Sequence, residues 1–281
     1  MSPAARALRL PDSFLAHAAE VLQGGAEPVV PRDAATVMLL RAAGAGMEVY
    51  LLRRQPSMAF APGAVVFPGG GVDPRDADGD IAWAGPDPAE WGQLIGAPAQ
   101  LARELVCAAV RETFEESGVL LAGPSPDTIV ADTRGEDWEA GRRALVDRSL
   151  SLAEFLAGRR LVLRSDLLRP WARWVTPVTE ERRFDTRFFA ARLPEGQLTR
   201  DVSGEADQVA WMTPAAAIEA ARRREIVLLP PTAVTLAELA ACRTVAGAVA
   251  ARRRITARIP EVTMSEGAVW LTIPEGLEYP L

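Results

Sequence analysis

The sequence predicts an α/β protein, in which a β-sheet packs against helices. Three observations support this class: two alternating apolar segments that predict a β-hairpin, one long amphipathic segment that predicts a helix, and three later strand-like segments that precede another helix. With 281 residues, of which 49% are hydrophobic, the chain can bury a substantial core.

The N-terminal part predicts a helix followed by the hairpin. Residues 12–23 carry apolar side chains at helical spacing, and Asp12 or Ser13 is available as the N-cap. The segments AATVMLLRA and MEVYLLRR flank the glycine-containing AGAG. This arrangement predicts a β-hairpin whose second strand ends at Arg53 and Arg54.

The middle of the chain predicts a glycine turn, an insertion and the longest helix. GAVVFPGGG predicts a strand that runs into a turn at residues 69–71. Over residues 72–97 the composition changes to Asp, Pro, Gly and Trp, which is typical of an insertion with one short helix at PAEWGQLIG. PAQLARELVCAAVRETFEESG then has Pro98 near its start and Gly118 just past its end, as expected of a helix.

The second half alternates between helical and strand-like segments. DWEAGRRALVDR and SLAEFLAGR predict helices, the second capped by Ser151, and WARWVTPV, RFDTRFFAARL and DQVAWMTP predict strands. PAAAIEAARRRE predicts a further helix. After Ile226 the sequence predicts two Ala-rich helices and ends with the apolar segment AVWLTI.

Composition limits the classes of partner. The net charge of -6 and the pI near 5.1 argue against a general nucleic-acid binder, because phosphate neutralisation needs a basic face. No segment approaches the roughly 20 apolar residues of a membrane span, and the N-terminus lacks the apolar middle of a signal peptide. We therefore expect a cytoplasmic, soluble protein with no nucleic-acid and no membrane partner.

The available side chains also limit the chemistry. All 31 basic residues are Arg, so no lysine can act as base or nucleophile. The lone His17 lies in the N-terminal amphipathic segment, where we expect a structural or solvent-facing role. Cys107 and Cys242 are too few for a zinc site or a disulfide framework, and Cys107 is expected to be a buried thiol. Carboxylates, Arg and a metal are left to carry any catalysis.

An acidic cluster lies on the long helix. Glu112, Glu115 and Glu116 have i, i+3 and i+4 spacing and share one helix face, where their charges repel. On an exposed helix this costs only a few tenths of a kcal/mol, so a solvated acidic face is one interpretation. Two carboxylates ~6 Å apart near a cleft repel by roughly 3 kcal/mol, which a divalent cation relieves. Half of a metal site is the other interpretation.

The glycine turn and the acidic helix together resemble the nudix box, G-x5-E-x7-R-E-U-x-E-E-x-G-U, in which U is a bulky aliphatic residue. The second half of the box matches from Arg111 to Val119, with Thr113 at the first U as the one departure.

The first half of the box is interrupted. The family places its glycine fourteen residues before the arginine, whereas Gly70 lies forty-one residues before Arg111, which implies an insertion of twenty-seven residues. The position eight residues before Arg111 is Arg103, with Glu104 beside it. This split box, together with RWVTPVTEERRFDTRFFAARLP, GEADQVAWMTPAAAI and LLPPT, resembles the nudix branch that includes the peroxisomal acyl-CoA diphosphatases.

The resemblance implies a nudix α/β/α sandwich with a mixed β-sheet, an insertion inside the box and a helical C-terminal extension. We expect a single domain over residues 1–281, with a core at about 34–215, the insertion at about 72–97 and the extension at about 216–281. A homodimer is a further suggestion from the family.

The resemblance also implies a reaction, the hydrolysis of a nucleoside diphosphate linked to another moiety, assisted by Mg²⁺ or Mn²⁺. The branch points to coenzyme A or acyl-CoA, cleaved to 3′,5′-ADP and (acyl) phosphopantetheine. ADP-ribose, NADH or a nucleotide sugar is the alternative substrate. A nudix-fold module that holds a nucleotide without cleaving it is the alternative from another class.

Site residues follow from the matched motif. The family resemblance makes Glu112, Glu115 and Glu116 metal ligands, with Glu115 also counted as catalytic, and a carbonyl of the turn at Gly69 and Gly70 completes the ligand set. Arg111 is expected to orient the carboxylates.

A further carboxylate is expected on a loop that faces the box helix. Glu205, six residues before Trp211, is the candidate for an extra ligand or general base, and Asp207 is a weaker one. A solvated loop residue is the alternative interpretation of Glu205.

Four arginines are candidates for phosphate contacts, since guanidinium matches phosphate geometry, and each is alternatively a surface charge. They are Arg53, Arg54, Arg182 and Arg183.

Bacterial coenzyme A pyrophosphatases carry a motif that resembles L-L-T-x-R-S-x3-R-x3-G-x3-F-P-G-G. The chain keeps Leu51, Arg54, Gly63 and FPGG but has Gln55 in place of Ser and Ala59 in place of the second Arg.

Overall fold

A mixed β-sheet with helices packed on both faces forms the centre of the molecule, as the predicted α/β class requires. The computed structural model describes residues 7–10, 15–55, 61–200 and 206–281. Its helices are α1 (Leu15–Leu22), α2 (Pro88–Ile95), α3 (Ala99–Ser117), α4 (Glu136–Val146), α5 (Leu152–Gly158), α6 (Pro214–Arg222), α7 (Pro230–Cys242) and α8 (Val245–Ala250).

The strands are short except for those of the central sheet. They are β1 (Ala7–Arg9), β2 (Arg32–Ala43), β3 (Gly46–Arg54), β4 (Ala64–Val66), β5 (Gly69–Gly71), β6 (Trp83–Ala84), β7 (Ala122–Gly123), β8 (Val162–Arg164), β9 (Leu168–Val175), β10 (Phe184–Arg192), β11 (Ala206–Met212), β12 (Val227–Leu228), β13 (Ala257–Arg258), β14 (Glu261–Ser265) and β15 (Ala268–Thr272).

In the described residues the central sheet has the order β12-β4-β3-β2-β10-β9-β13, with β11 paired to β3 and β5 paired to β2. β2 and β3 form the predicted antiparallel hairpin, which closes at the pair Ala43 and Gly46. β10 runs parallel to β2, whereas β9 and β10 are antiparallel. The sheet is therefore mixed, as the resemblance implied.

The glycines at residues 69–71 form a short strand and not the predicted turn. β5 pairs antiparallel with β2, and Gly69 lies opposite Thr36. A Cβ atom on Gly69 would lie 2.5 Å from the Thr36 hydroxyl, so a residue with a side chain could not approach β2 this closely. The absence of side chains is what admits this strand to the sheet.

The longest helix, α3, covers one face of the sheet. It has 19 residues, and Gly118 ends it in the left-handed conformation with its N–H donating to the Phe114 carbonyl. Its apolar stripe, which includes Leu105, Ala109 and Phe114, is completely buried in one core cluster with the helices on that face. A second core cluster, on the opposite face, includes residues of α1 and of α6 to α8.

The C-terminal region contains the predicted helices but also four strands, β12 to β15, that were not predicted. β14 and β15 form a hairpin whose two turn residues, Glu266 and Gly267, both have positive φ, and β15 also pairs with β1. The N-cap candidates Asp12 and Ser13 lie outside the described residues. Within the described ranges, the length and apolarity needed to cross a bilayer are not combined in any one helix.

Candidate active site

Arg111 is the centre of a buried ion-pair network on α3. Its Nη1 donates to Oε1 of Glu112 at 2.8 Å and to Oε1 of Glu115 at 3.3 Å. Its Nη2 donates to the Gly71 carbonyl at 3.1 Å. The guanidinium thus connects two box glutamates to the end of β5, and its role in orienting them for a metal stays a prediction.

Asp76 is the member of the network that the sequence interpretation missed. Its two carboxylate oxygens accept from Nε and Nη2 of Arg111, both at 2.9 Å, and the residue is only 1% exposed. Asp76 lies in a 3-10 turn over Pro74–Ala77, where the N–H of Asp73 donates to it at 2.9 Å. This capping box fixes the carboxylate against the helix.

The spacing of Asp76 was the signal in the sequence. It follows Gly70 by six residues, which is the interval between the glycine and the first glutamate in G-x5-E. The position eight residues before Arg111 is not part of the network. Arg103 instead donates to the carbonyls of Ala77 and Gly79, and Glu104 accepts from Gln100.

The glycine strand is in direct contact with the box glutamates. The N–H of Gly69 donates to Oε2 of Glu116 at 2.8 Å. The neighbouring Gly70 faces Glu112 so closely that a Cβ atom there would lie 2.6 Å from the carboxyl carbon. β5 therefore brings polar backbone groups to the acidic face of α3.

Burial shifts the protonation of these groups. Burial and the nearby Glu115 raise the pKa of Glu112 to about 7, although the Arg111 guanidinium acts in the opposite direction. Burial likewise raises the pKa of Glu115. Burial alone lowers the pKa of Arg111, but Asp76 and the two glutamates outweigh it and raise that pKa.

The donor set suits a hard divalent cation. Within the described ranges, no three His, Cys, Asp or Glu side chains already surround one point, and Arg111 lies between Glu112 and Glu115. The cluster nevertheless holds more carboxylates than arginines, and its oxygens are the ligand type that Mg²⁺ and Mn²⁺ prefer. A cation that shares these oxygens with Arg111 would offset the excess negative charge.

A cavity of about 810 Å³ opens at this cluster. Its lining includes Glu112, Arg111 and the three glycines of β5. The rest of its wall is formed by β2, β10, the end of β9 and the LLPPT segment, with the aromatic side chains Phe67, Trp174, Phe184 and Phe188. The acidic cluster is therefore accessible from a space large enough for a nucleotide.

The predicted phosphate-contacting arginines separate into different environments. Arg54 and Arg182 line the cavity, whereas Arg53 is not among its lining residues in the described chain. Arg183 is buried and donates to the carbonyls of Val29 and Thr176. Glu205 lies outside the described residues, as does the side chain of Asp207.

A solved structure is similar to this chain along most of its length. A NUDIX hydrolase from Alicyclobacillus acidocaldarius, known from its crystal structure, is 30% identical and superposes with a TM-score of 0.63 over 79% of this chain and 97% of that one. This likeness confirms the nudix fold that the resemblance implied.

Two curated relatives are also similar. The acyl-coenzyme A diphosphatase NUDT19 of Xenopus laevis is 30% identical over 229 residues, which is 68% of this chain and 59% of the relative. The putative nudix hydrolase 7 of Caenorhabditis elegans is 28% identical over 208 residues, which is 74% of this chain and 60% of the relative. The chain thus spans about 60% of the length of these relatives.

The family model described as NUDT19 Nudix domain matches residues 86–239. This match covers more than half of the chain, and the chain therefore belongs to the NUDT19 nudix domain family.

Proposed function

We propose that the protein hydrolyses the diphosphate of coenzyme A or acyl-CoA, and that it releases 3′,5′-ADP and (acyl) phosphopantetheine. The observation that carries the proposal is the cavity, which joins the box carboxylate Glu112 to a wall of arginine and aromatic side chains. The name of the Xenopus relative, acyl-coenzyme A diphosphatase, supports the choice of substrate.

In this proposal Glu112, Glu115 and Glu116 hold Mg²⁺ or Mn²⁺, together with a carbonyl of the glycine strand. Such an ion would neutralise the diphosphate oxygens and lower the pKa of the attacking water. Arg111 keeps two of the glutamates in position, and Asp76 keeps Arg111 in position. Glu205 is the proposed general base, and Arg54, which lines the cavity, is the proposed contact of the diphosphate.

The test is product analysis of the purified protein with Mg²⁺ or Mn²⁺. The substrates are coenzyme A, acetyl-CoA, a long-chain acyl-CoA, ADP-ribose and NADH. We expect release of 3′,5′-ADP from the CoA compounds at the highest kcat/KM. Faster cleavage of ADP-ribose or NADH would contradict the substrate assignment and leave the reaction type intact.

A pair of variants on α3 tests the role of the box. Glu116→Gln should lower kcat by more than about a hundredfold, because it removes a proposed metal ligand rather than a group that supports one. Glu104→Gln, on the same helix but bonded to Gln100, is the matched control and should retain activity. Ligand binding with no product from any compound would favour a binding module.

A further inference from the structure

Two arginines on the cavity wall make no side-chain hydrogen bond or ion pair in the part of the chain that the structure describes. Arg32 and Arg182 are both exposed and both line the cavity that contains Glu112. Within the described ranges, neither guanidinium has a hydrogen-bond or ion-pair partner. In a chain with a net charge of -6, two unpaired cations in the same cavity call for an explanation.

The strand register places these two arginines side by side. Arg32 begins β2 and lies opposite Phe184, the first residue of β10, and its N–H donates to the carbonyl of Arg183 at 2.9 Å. Arg182 immediately precedes Arg183 in the chain. The pairing of the two strands therefore fixes the backbones that carry the two guanidinium groups close to one another.

Neighbouring arginines are bonded within the protein, which makes the pair distinct. Arg183 donates to two backbone carbonyls, and Arg173 forms an ion pair with Asp185 at 2.6 Å. Arg187 pairs with Asp185 and, at 3.4 Å, with Asp33. Asp33 also lines the cavity, but its carboxylate is directed to Arg187.

The other carboxylates of the lining are engaged as well. Asp73 pairs with Arg75 at 2.9 Å and Glu112 with Arg111 at 2.8 Å. The positive charge of Arg32 and Arg182 therefore faces the cavity without a protein counter-charge in the described residues. This arrangement fits a ligand anion.

We infer that Arg32 and Arg182 bind a phosphomonoester on the ribose of the substrate, separate from the diphosphate that is cleaved. The inference rests on the proposed function. Arg32 lies two residues along β2 from Ala34, the partner of Gly71, which is about 7 Å of strand. One nucleotide can therefore place its diphosphate at the glycine strand and a second phosphate at the arginines, whose guanidinium groups match a phosphate dianion.

The pair of coenzyme A and 3′-dephospho-CoA tests the inference, since the two substrates differ only in that phosphate. Arg32→Gln and Arg182→Gln should each lower kcat/KM for coenzyme A about tenfold, mainly through KM, and leave 3′-dephospho-CoA unchanged. Arg192→Gln is the matched control, because Arg192 is exposed at the end of β10 and is not a lining residue. NADPH and NADH, which differ only in a 2′-phosphate on the adenosine ribose, form a second pair. A loss confined to NADPH would show that the arginines bind a ribose 2′-phosphate.

Equal losses on both members of a pair would overturn the inference, because the arginines would then contact the diphosphate or another shared group. Unchanged kinetics with coenzyme A would overturn it as well. If the wild-type protein cleaves no CoA compound, the proposed function fails, and binding decides the inference separately. Adenosine 3′,5′-bisphosphate should bind more tightly than AMP to the wild type, and the double variant should lose this preference.

Discussion

Two parts of the cavity wall use arginine in opposite ways: the part around Glu112, here called the acidic end, and the part around Arg32 and Arg182, here called the basic end. At the acidic end, Arg111 is 7% exposed and its guanidinium is bonded to Asp76, Glu112 and Glu115. At the other end, Arg32 and Arg182 are exposed, and neither has a carboxylate partner in the described residues. The side chains of the acidic end are therefore held in place without a ligand, whereas the guanidinium groups of the basic end are available to bind one.

This difference separates the consequences of substitution. A buried charge that loses its partner remains in a low-dielectric environment, which strongly destabilises the fold. An exposed guanidinium is solvated by water whether or not a ligand is bound, so its removal costs little stability. Changes at the acidic end should therefore affect folding and activity together, and changes at the basic end only ligand preference.

Asp76→Ala is the change with the largest expected effect. It removes both hydrogen bonds that the carboxylate accepts from Nε and Nη2 of Arg111, and leaves that cation buried. We expect the free energy of unfolding to fall by about 3–5 kcal/mol, as for other broken buried ion pairs. Urea denaturation followed by circular dichroism measures the change, and kcat should fall with it because the two glutamates lose their support.

Asp78→Ala is the control for this substitution, because Asp78 is exposed at the end of the same 3-10 turn. It should change stability by less than about 0.5 kcal/mol. If Asp76→Ala were equally mild, Arg111 would not depend on its buried partner, and the contrast between the two ends of the cavity would be lost.

The acidic end also shows how far the sequence could predict the site. The helix α3 followed from local periodicity and a glycine stop, and its glutamates were identified by the resemblance. Asp76 is thirty-five residues from Arg111, and only the three-dimensional fold brings the two side chains together. The six-residue interval between Gly70 and Asp76 is visible in the sequence, but the prediction counted back eight residues from Arg111, which leads to the other side of the inserted residues. We infer that those residues follow Asp76.

The basic end was less predictable for a different reason. Arg182 and Arg183 are adjacent and chemically identical, yet one lines the cavity and the other is buried against backbone carbonyls. Side-chain direction depends on the strand register that begins at Phe184, which single-sequence patterns do not fix. Arg32 was not a candidate, because nothing in its local sequence distinguishes it from the other arginines. The strands β14 and β15 were likewise missed, because their turn residues are Glu266 and Gly267 rather than the Asn-Gly or Asp-Gly pair that signals a two-residue hairpin.

Gly70→Ala tests the connection between the cavity and the acidic end, with the next largest effect. The added methyl group would lie 2.6 Å from the carboxyl carbon of Glu112 and must displace it. A shift of about 1 Å at a catalytic group can cost about a hundredfold in rate, so we expect kcat to fall by that order. Gly71→Ala is a close control, because a Cβ atom there meets only the Asp33 carbonyl at 3.9 Å.

Equal kcat values for the two alanine variants would mean that Glu112 can move without loss, and that the glycine strand does not position it. A large loss of stability in Gly70→Ala would complicate the comparison, so urea denaturation should accompany the kinetics. We expect a cost of about 1–3 kcal/mol from the added methyl group.

Glu112→Gln has the smallest expected effect on the free energy of unfolding. It should raise that free energy, whereas the two preceding substitutions should lower it. A carboxyl group whose pKa is higher in the folded protein than in the unfolded chain destabilises the fold once it ionises. For Glu112 this cost accumulates between the ordinary pKa of 4.5 and the folded value of about 7, and it is complete above that range. Without divalent cations, Glu112→Gln should therefore be more stable than the wild type at pH 8 by about 1–2 kcal/mol, and equally stable at pH 4.

The same variant also tests whether the acidic end binds a divalent cation. Mg²⁺ or Mn²⁺ should raise the unfolding temperature of the wild type at pH 8, because a cation that binds the folded state stabilises it by mass action. The increase should be smaller in Glu112→Gln, which has lost a proposed ligand, and smaller still when a chelator is present. An unchanged response to the cation would show that Glu112 does not take part in binding it. If the variant were less stable than the wild type at pH 8, the hydrogen bond from Arg111 to Glu112 would outweigh the repulsion from Glu115. The ionised Glu112 would then not destabilise the fold, and a cation would have no repulsion to relieve there.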